Sequence, residues 1–286
     1  VVSKPDRGGK SAAMTYGAGL TGGDILLFSD ASEMYERQAI RWLLAEFADP
    51  SVAVVSGSHR VKPPTLTEAG YLVGATEGIY WRYEDFIRRK ESMLGATVAS
   101  VGSMLAVCRS DWKGLPAGTV NDDAWLTMTA LARGRNVRFA QRAVGWEKAN
   151  DNSHDEHVRR RRIAAGRVLL ILKPEVWPLR RPAVLAAFVS HKVLRLALPV
   201  AMIGGGLANL GAVLLNPDHR LFVALLLMQL AVAALAVMGR VGERLGRKWK
   251  LPHLAYHVVQ SNFMVLLAIL DVLTGRSFLK WDKPDR

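Results

Sequence analysis

Asp24-Ile25-Leu26-Leu27-Phe28-Ser29-Asp30-Ala31-Ser32 is the stretch on which the fold turns. Four consecutive apolar residues read as a short buried strand; a half-exposed strand would alternate apolar and polar positions. Its carboxyl end delivers Asp30, and open α/β sheets bind ligands at the carboxyl ends of their strands. A hard divalent cation takes oxygen ligands and commonly links one or two carboxylates to a substrate's phosphates. Asp30 is therefore a candidate metal ligand. The competing reading of a strand-end Asp is a simple cap.

Outward from this strand, residues 1–180 alternate α and β. Glu33 to Ala48 reads as a helix with Ile40, Leu43, Leu44 and Phe47 on one face, and Val52 to Val55 as the next strand. Gly78 to Leu94 reads as a helix carrying Tyr80, Trp81, Tyr83 and Phe86. Val101 to Val107 and Val137 to Ala140 read as strands. Asp122 to Arg133 reads as a helix with Asn121 near its N-cap. Two glycine motifs fail in context. Gly9-Lys10-Ser11 ends like a phosphate-binding loop, but Lys4 stands where that pattern needs glycine. Gly17-Ala18-Gly19-Leu20-Thr21-Gly22 precedes a strand, whereas a dinucleotide fingerprint must follow one.

The C-terminal part is of another kind. Leu196 to Leu215 is twenty residues without a charge, long enough as a helix to span roughly the 30 Å of a bilayer core. Leu221 to Gly239 is equally uncharged, and only Asn216-Pro217-Asp218-His219-Arg220 separates the two. This reads as a transmembrane hairpin, residues 196–215 and 221–239. Residues 183–195 read as an interfacial helix, with an apolar stripe that includes Val184, Leu185, Phe188 and Val189. A third hydrophobic segment, 254–272, carries His257, Gln260, Ser261 and Asn262 in its first half; it either spans, or lies in the interface or re-enters, and the polar first half is better suited to the latter.

The chain has 286 residues, 38 Lys and Arg against 25 Asp and Glu, and a net charge of +13. Half of it is hydrophobic, which excludes disorder. Its single cysteine, Cys108, excludes an internal disulfide and a multi-cysteine zinc site. The basic excess follows membrane topology. The hairpin turn holds one basic residue, Arg220, while the next loop holds Arg240, Arg244, Arg247, Lys248 and Lys250. By the positive-inside rule the turn faces out and residues 1–180 are cytoplasmic. Attraction to anionic headgroups accounts for the charge, so no nucleic-acid partner is called for. The first residues, Val1-Val2-Ser3, include no initiator Met, and an upstream part is expected.

Two further clusters carry chemistry. Asn121-Asp122-Asp123-Ala124-Trp125-Leu126 opens a helix with two adjacent carboxylates, and capping explains one Asp better than a pair. Arg159-Arg160-Arg161-Arg162 precedes the membrane segment. It suits either lipid headgroups or a diphosphate, for which guanidinium geometry is apt.

In this order the segments resemble the membrane-bound family 2 glycosyltransferases of cellulose-synthase, hyaluronan-synthase and bacterial exopolysaccharide type. Arg7-Gly-Gly-Lys10-Ser-Ala-Ala resembles the Gly-Lys stretch ahead of the metal strand, and Phe28-Ser29-Asp30-Ala31-Ser32 the D-x-D element. Glu77 to Glu84 with Arg88-Arg-Lys-Glu91-Ser92 resembles the helix before the acceptor strand. Gly102-Ser103 sits at the acceptor position, Asn121 to Leu126 resembles T-E-D-x-x-L, and Arg159-x-x-Arg162-Ile163 falls where Q-x-x-R-W occurs. Ser190-His-Lys-Val-Leu-Arg195 lies at the approach to the membrane.

The resemblance implies a partial GT-A domain, a Rossmann-like mixed sheet, over residues 1–180, followed by a membrane region over 181–286. The first β-α-β part is missing, so this fragment alone is expected to be inactive. It implies inverting transfer from a nucleotide-diphosphate sugar, a UDP-sugar first, to a polysaccharide or lipid-linked acceptor, at the cytoplasmic face of a bacterial membrane. Asp123, with Asp122 beside it, would be the catalytic pair. Lys10, Asp30, Arg159 and Arg162 would hold the diphosphate, Asp30 through Mg²⁺ or Mn²⁺. Gly102, Ser103, Trp81 and Trp146 would line the acceptor site. Ser32 replaces the second Asp of D-x-D, and Ile163 replaces the Trp of Q-x-x-R-W. The rival class is a non-catalytic membrane scaffold or transporter subunit, although neither clear span holds the ionisable residue a transport pathway would need.

Overall fold

The computed structural model describes residues 8–62, 82–148, 153–247 and 249–276. Its described residues divide into two compact units. The first runs through residue 156 and includes 166–192; the second comprises 157–165 and 193–276.

The first unit is built on a five-stranded mixed sheet in the order β1-β4-β3-β5-β2. The strands are β1 (Ile25–Ser29), β2 (Met34–Tyr35), β3 (Val52–Lys62), β4 (Met104–Cys108) and β5 (Asn136–Lys148). β3 and β5 are parallel, while β1 and β3 both run antiparallel to β4. Helix α1 (Gly9–Gly19) precedes β1, so the Gly17 to Gly22 motif lies at a helix end before a strand. Helix α2 spans Ala39–Ala45, α3 spans residues 82–93, and α4 spans Asp122–Ala132.

β1 differs from the buried strand expected. It is an edge strand with a partner on one side only, so Leu26 is buried while Leu27 is exposed. The helix expected from Glu33 begins only at Ala39. Met34 and Tyr35 instead pair with Trp146 and Gly145 of β5, and the Tyr35 hydroxyl donates to the Ser103 carbonyl at 2.8 Å. Long-range pairing has overridden local helical periodicity there. Of the expected apolar face, Leu43 is buried and Phe47 packs partly, but Ile40 and Leu44 are exposed.

The core forms where α2 lies on the sheet. Ala39, Leu43, Val52, Val55, Met104, Ala106, Ala140 and Ala143 pack together. Gly57 permits this. A Cβ there would lie 2.0 Å from Met104 Sδ and 2.8 Å from the Ala143 carbonyl. The β3–β5 register shifts beside it, from Gly57↔Ala140 to Ser58↔Val144, so Gln141–Ala143 bulge out. α3 carries a buried ionic layer. His191 faces Glu91 at 2.9 Å through Nδ1 and Glu84 at 3.2 Å through Nε2, and Arg88 pairs with Glu84 and Asp85. His191 is thereby tied to α3 by polar contacts that apolar periodicity does not report.

The second unit contains three helices long and apolar enough to cross a membrane. α5 (Ser153–Ile171) and α6 (Pro182–Phe188) lead, through a π-helical turn at Val189–Val193, into α7 (Leu194–Leu215). α8 (Arg220–Arg244) and α9 (Lys250–Leu273) follow. Asn209 of α7 donates to the Phe222 carbonyl of α8 at 3.2 Å, satisfying a polar side chain inside an apolar hairpin. α9 is unbroken, unlike a re-entrant loop, and its Asp271 accepts both Nε and Nη2 of Arg161 at 2.5 and 2.6 Å.

Candidate active site

Four segments of the first unit meet at one ammonium group. Lys10 stands in the opening turn of α1, and Asp30 just past the end of β1. Asp122 and Asp123 open α4, where the helix dipole favours negative charge. Gly102 lies in the segment before β4. Lys10 Nζ is 2.8 Å from Asp30 Oδ1 and 3.5 Å from Asp122 Oδ2. A Cβ at Gly102 would stand 3.5 Å from the same Nζ and 3.4 Å from Asp123 Cβ. Lys10, Asp30, Asp122, Asp123 and Gly102 thus share one small neighbourhood.

The electrostatics follow from burial and charge. Burial works to lower the Lys10 pKa, but the carboxylates of Asp122, Asp30 and Asp123 outweigh it and hold the ammonium above its ordinary value. Asp122 is buried and carries a like charge beside it in Asp123, and these push its carboxyl up to about 6 despite Lys10. Asp123 is less buried. The site therefore presents a permanent cation, a half-exposed carboxylate at Asp30 and, at Asp122, a buried carboxyl raised to about 6.

Asp30 fits a hard divalent cation. Its carboxylate is 44% exposed, which leaves it reachable beside Lys10. One protein carboxylate completed by diphosphate oxygens is a sufficient set for Mg²⁺ or Mn²⁺. The second D-x-D position offers nothing similar, since Ser32 Oγ donates to Glu147 Oε1 at 2.8 Å.

The remaining expected residues are more scattered. Ser103 is buried and its carbonyl is taken by Tyr35, from a segment whose periodicity suggests a helix. Trp146 donates Nε1 to Glu36 at 3.0 Å and lies under the Arg60 guanidinium. Trp81 lies outside the described residues. Arg159 and Arg162 stand on the part of α5 that belongs to the second unit. Asn121 precedes α4, but no hydrogen bond from its side chain caps the helix. The side chain lies instead against Gly166 of α5, where an added Cβ would be 2.6 Å from Oδ1.

Comparison with solved structures finds a similar fold in the mannosyltransferase PcManGT from Pyrobaculum calidifontis, solved with GDP-mannose and Mn²⁺. The TM-score is 0.66 at 21% identity, over 96% of this chain and 69% of that one. Glucosyl-3-phosphoglycerate synthase from Mycobacterium tuberculosis, solved with Mn²⁺ and UDP-glucose, matches at a TM-score of 0.36 and 17% identity, over 56% of this chain and 54% of that one. Comparison with curated proteins gives no match. The mixed α/β sheet is that of the GT-A glycosyltransferases. The family model described as "Glycosyl transferase family group 2" matches residues 29–238, from the end of β1 to the last turns of α8, and the chain belongs to that family.

Proposed function

We propose that this protein transfers a sugar, with inversion, from a nucleotide-diphosphate sugar to a hydroxyl of a polysaccharide or lipid-linked acceptor at the cytoplasmic face of a bacterial membrane. The observation that carries the reading is the meeting of Lys10, Asp30, Asp122, Asp123 and Gly102 at one point. Family membership supports it, and so does the Pyrobaculum enzyme's complex with a nucleotide sugar and Mn²⁺.

In the reaction the acceptor oxygen forms a bond to the anomeric carbon as the bond to the diphosphate breaks. The acceptor's proton goes to the Asp123 carboxylate, which stands in the opening turn of α4 beside the gap at Gly102. The leaving diphosphate gains negative charge, and Lys10 supplies a fixed cation to meet it. Before substrate arrives that ammonium is shared by Asp30 and Asp122, which keeps it in place. Bound at Asp30, Mg²⁺ or Mn²⁺ would add charge neutralisation on the same diphosphate. Ser103 and Trp146 are proposed on the acceptor side. The apolar helices of the second unit would hold the catalytic domain where a lipid-linked or growing acceptor sits.

The test is transfer by membranes carrying the full-length protein. UDP-sugars are the first donors to try, by the family resemblance, followed by GDP-mannose, the donor in the Pyrobaculum complex. Sugar transfer or donor hydrolysis that depends on Mg²⁺ or Mn²⁺ is expected. Absence of both with every UDP- and GDP-sugar, from well-folded protein, overturns the reading.

A further inference from the structure

Three residues past Asp30 the chain turns a carboxylate inward. The Glu33 side chain is wholly buried, and both its oxygens lie 3.1 Å from His59 Nδ1 on β3. On the other side of the ring, Glu147 Oε2 of β5 lies 3.7 Å from His59 Nε2. Each of the three side chains brings one ligand atom within 4.8 Å of the other two. The backbone makes room for this grouping. A Cβ at Gly145 would stand 2.2 Å from Glu33 Oε1, so no other residue fits there while Glu33 points inward.

A carboxylate this deeply buried needs a positive charge close by. Neutral imidazole carries one N–H and can donate to only one of two flanking carboxylates. That charge comes either from a second proton on His59 or from a bound metal ion, and three ligand atoms this close together suit the metal ion. Two carboxylate oxygens and one imidazole nitrogen form a mixed N,O donor set suited to a borderline transition metal. Bonds of about 2.0–2.1 Å set neighbouring ligand atoms of a tetrahedral site roughly 3.3 Å apart; the 3.1 Å from Glu33 to His59 Nδ1 matches this, and Glu147, which faces Nε2 and is partly exposed, would swing its carboxylate toward the ion.

We propose that Glu33, His59 and Glu147 form a second metal centre, holding Zn²⁺ or a similar dication through one oxygen of each carboxylate and one ring nitrogen of His59. The centre is separate from Asp30 and needs no nucleotide. Its ligands come from the loop between β1 and β2, from β3 and from β5, so the ion clasps the segment that carries Asp30 to two strands of the sheet. The hydrogen bond from Ser32 to Glu147 extends the clasp into the D-x-D element itself. With three protein ligands the ion keeps a position open to solvent.

The experiment uses the full-length protein in detergent, purified through a tag without histidine, stripped with chelator and equilibrated with Zn²⁺ alone. Metal content after gel filtration and the thermal midpoint are measured together. Wild type should retain zinc and melt at a higher temperature with it. His59→Gln and Glu147→Gln should each hold one equivalent fewer and lose the thermal shift, while Asp30→Ala keeps both. Glu147 is only partly buried, so its amide variant leaves the core intact and serves as the folding control. A wild type that retains no zinc overturns the proposal. So does retention by both variants equal to wild type, or loss on Asp30→Ala alone. Each of these results would leave the transferase reading standing, because that reading rests on the meeting of Lys10, Asp30, Asp122, Asp123 and Gly102.

Discussion

Adjacent residues Asp122 and Asp123 differ in burial, and in the proposed mechanism that difference divides their roles. Asp122 points into protein and toward Lys10, whereas Asp123 borders the space left by Gly102. Asp123→Asn keeps the shape and removes the proton acceptor. Transfer in the full-length enzyme should fall by about 10²–10⁴-fold while donor binding survives. Wild-type turnover by this variant would remove Asp123 from the mechanism. Asp122→Asn tests the pair differently. Burial and its neighbour's charge raise the Asp122 carboxyl to about 6. As pH falls through that region Asp122 takes up a proton, its charge beside Lys10 is lost and kcat/KM drops. With an amide at 122 that titration is absent, so the acid limb should move to lower pH. A pH–rate profile identical to wild type would mean that Asp122 does not set it. Asp30→Ala should remove the dependence of nucleotide binding on Mn²⁺, because the ion loses its protein carboxylate. Titrating Mn²⁺ against bound nucleotide in both proteins checks this, and superimposable curves would make Asp30 a cap.

At the scale of elements, legibility follows the range of the interaction. The opening of α4 was readable because an acidic pair before an apolar 3.6-residue pattern is a local signal, and the helix begins at Asp122 as expected. β1 was readable as a strand but not as an edge, since the number of its partners is decided by β4, some eighty residues later in the chain. Glu33 was unreadable in its role. Its contacts, His59 and Glu147, lie on two other strands, and the helical periodicity that follows it drew it into a helix. Lys10 was legible only through resemblance, because nothing near it in sequence shows that α1 brings it to Asp122. The bulge in β5 left no pattern beyond an Ala-Gln-Arg-Ala run, yet it governs how Gly57 packs. Gly57→Ala therefore tests the sheet. Its Cβ meets a sulfur and a backbone carbonyl at distances no rotamer change relieves fully. Destabilisation of about 1–3 kcal/mol is expected from such overpacking. A lowered thermal midpoint in detergent would register it, and an unchanged midpoint would show that Met104 and the bulge yield at little cost.

At the scale of the whole molecule the open matter is which side of a bilayer each loop faces. We propose that the turn at Asn216 to Arg220 is extracytoplasmic, with the catalytic half and the tail from Arg276 to Arg286 cytoplasmic. One basic residue in the turn against five between Arg240 and Lys250 supports the first part. The tail is the harder part, because α9 is a continuous helix of 24 residues with the length to cross. Two observations favour its lying along the interface. His257, Gln260 and Asn262 lie near its middle, where hydrocarbon would penalise them. Asp271, in its last turn, is held by Arg161, one of four consecutive arginines on α5. An Asp paired with that arginine run belongs with it on the basic, inner side. Cysteine scanning decides the matter. On a Cys108→Ser background, Asp218→Cys should react with a membrane-impermeant thiol reagent added from outside, and Pro284→Cys should react only after the membrane is opened. Outside labelling at 284 would mean that α9 crosses as a third span, and that the Arg161–Asp271 pair does not mark the inner face.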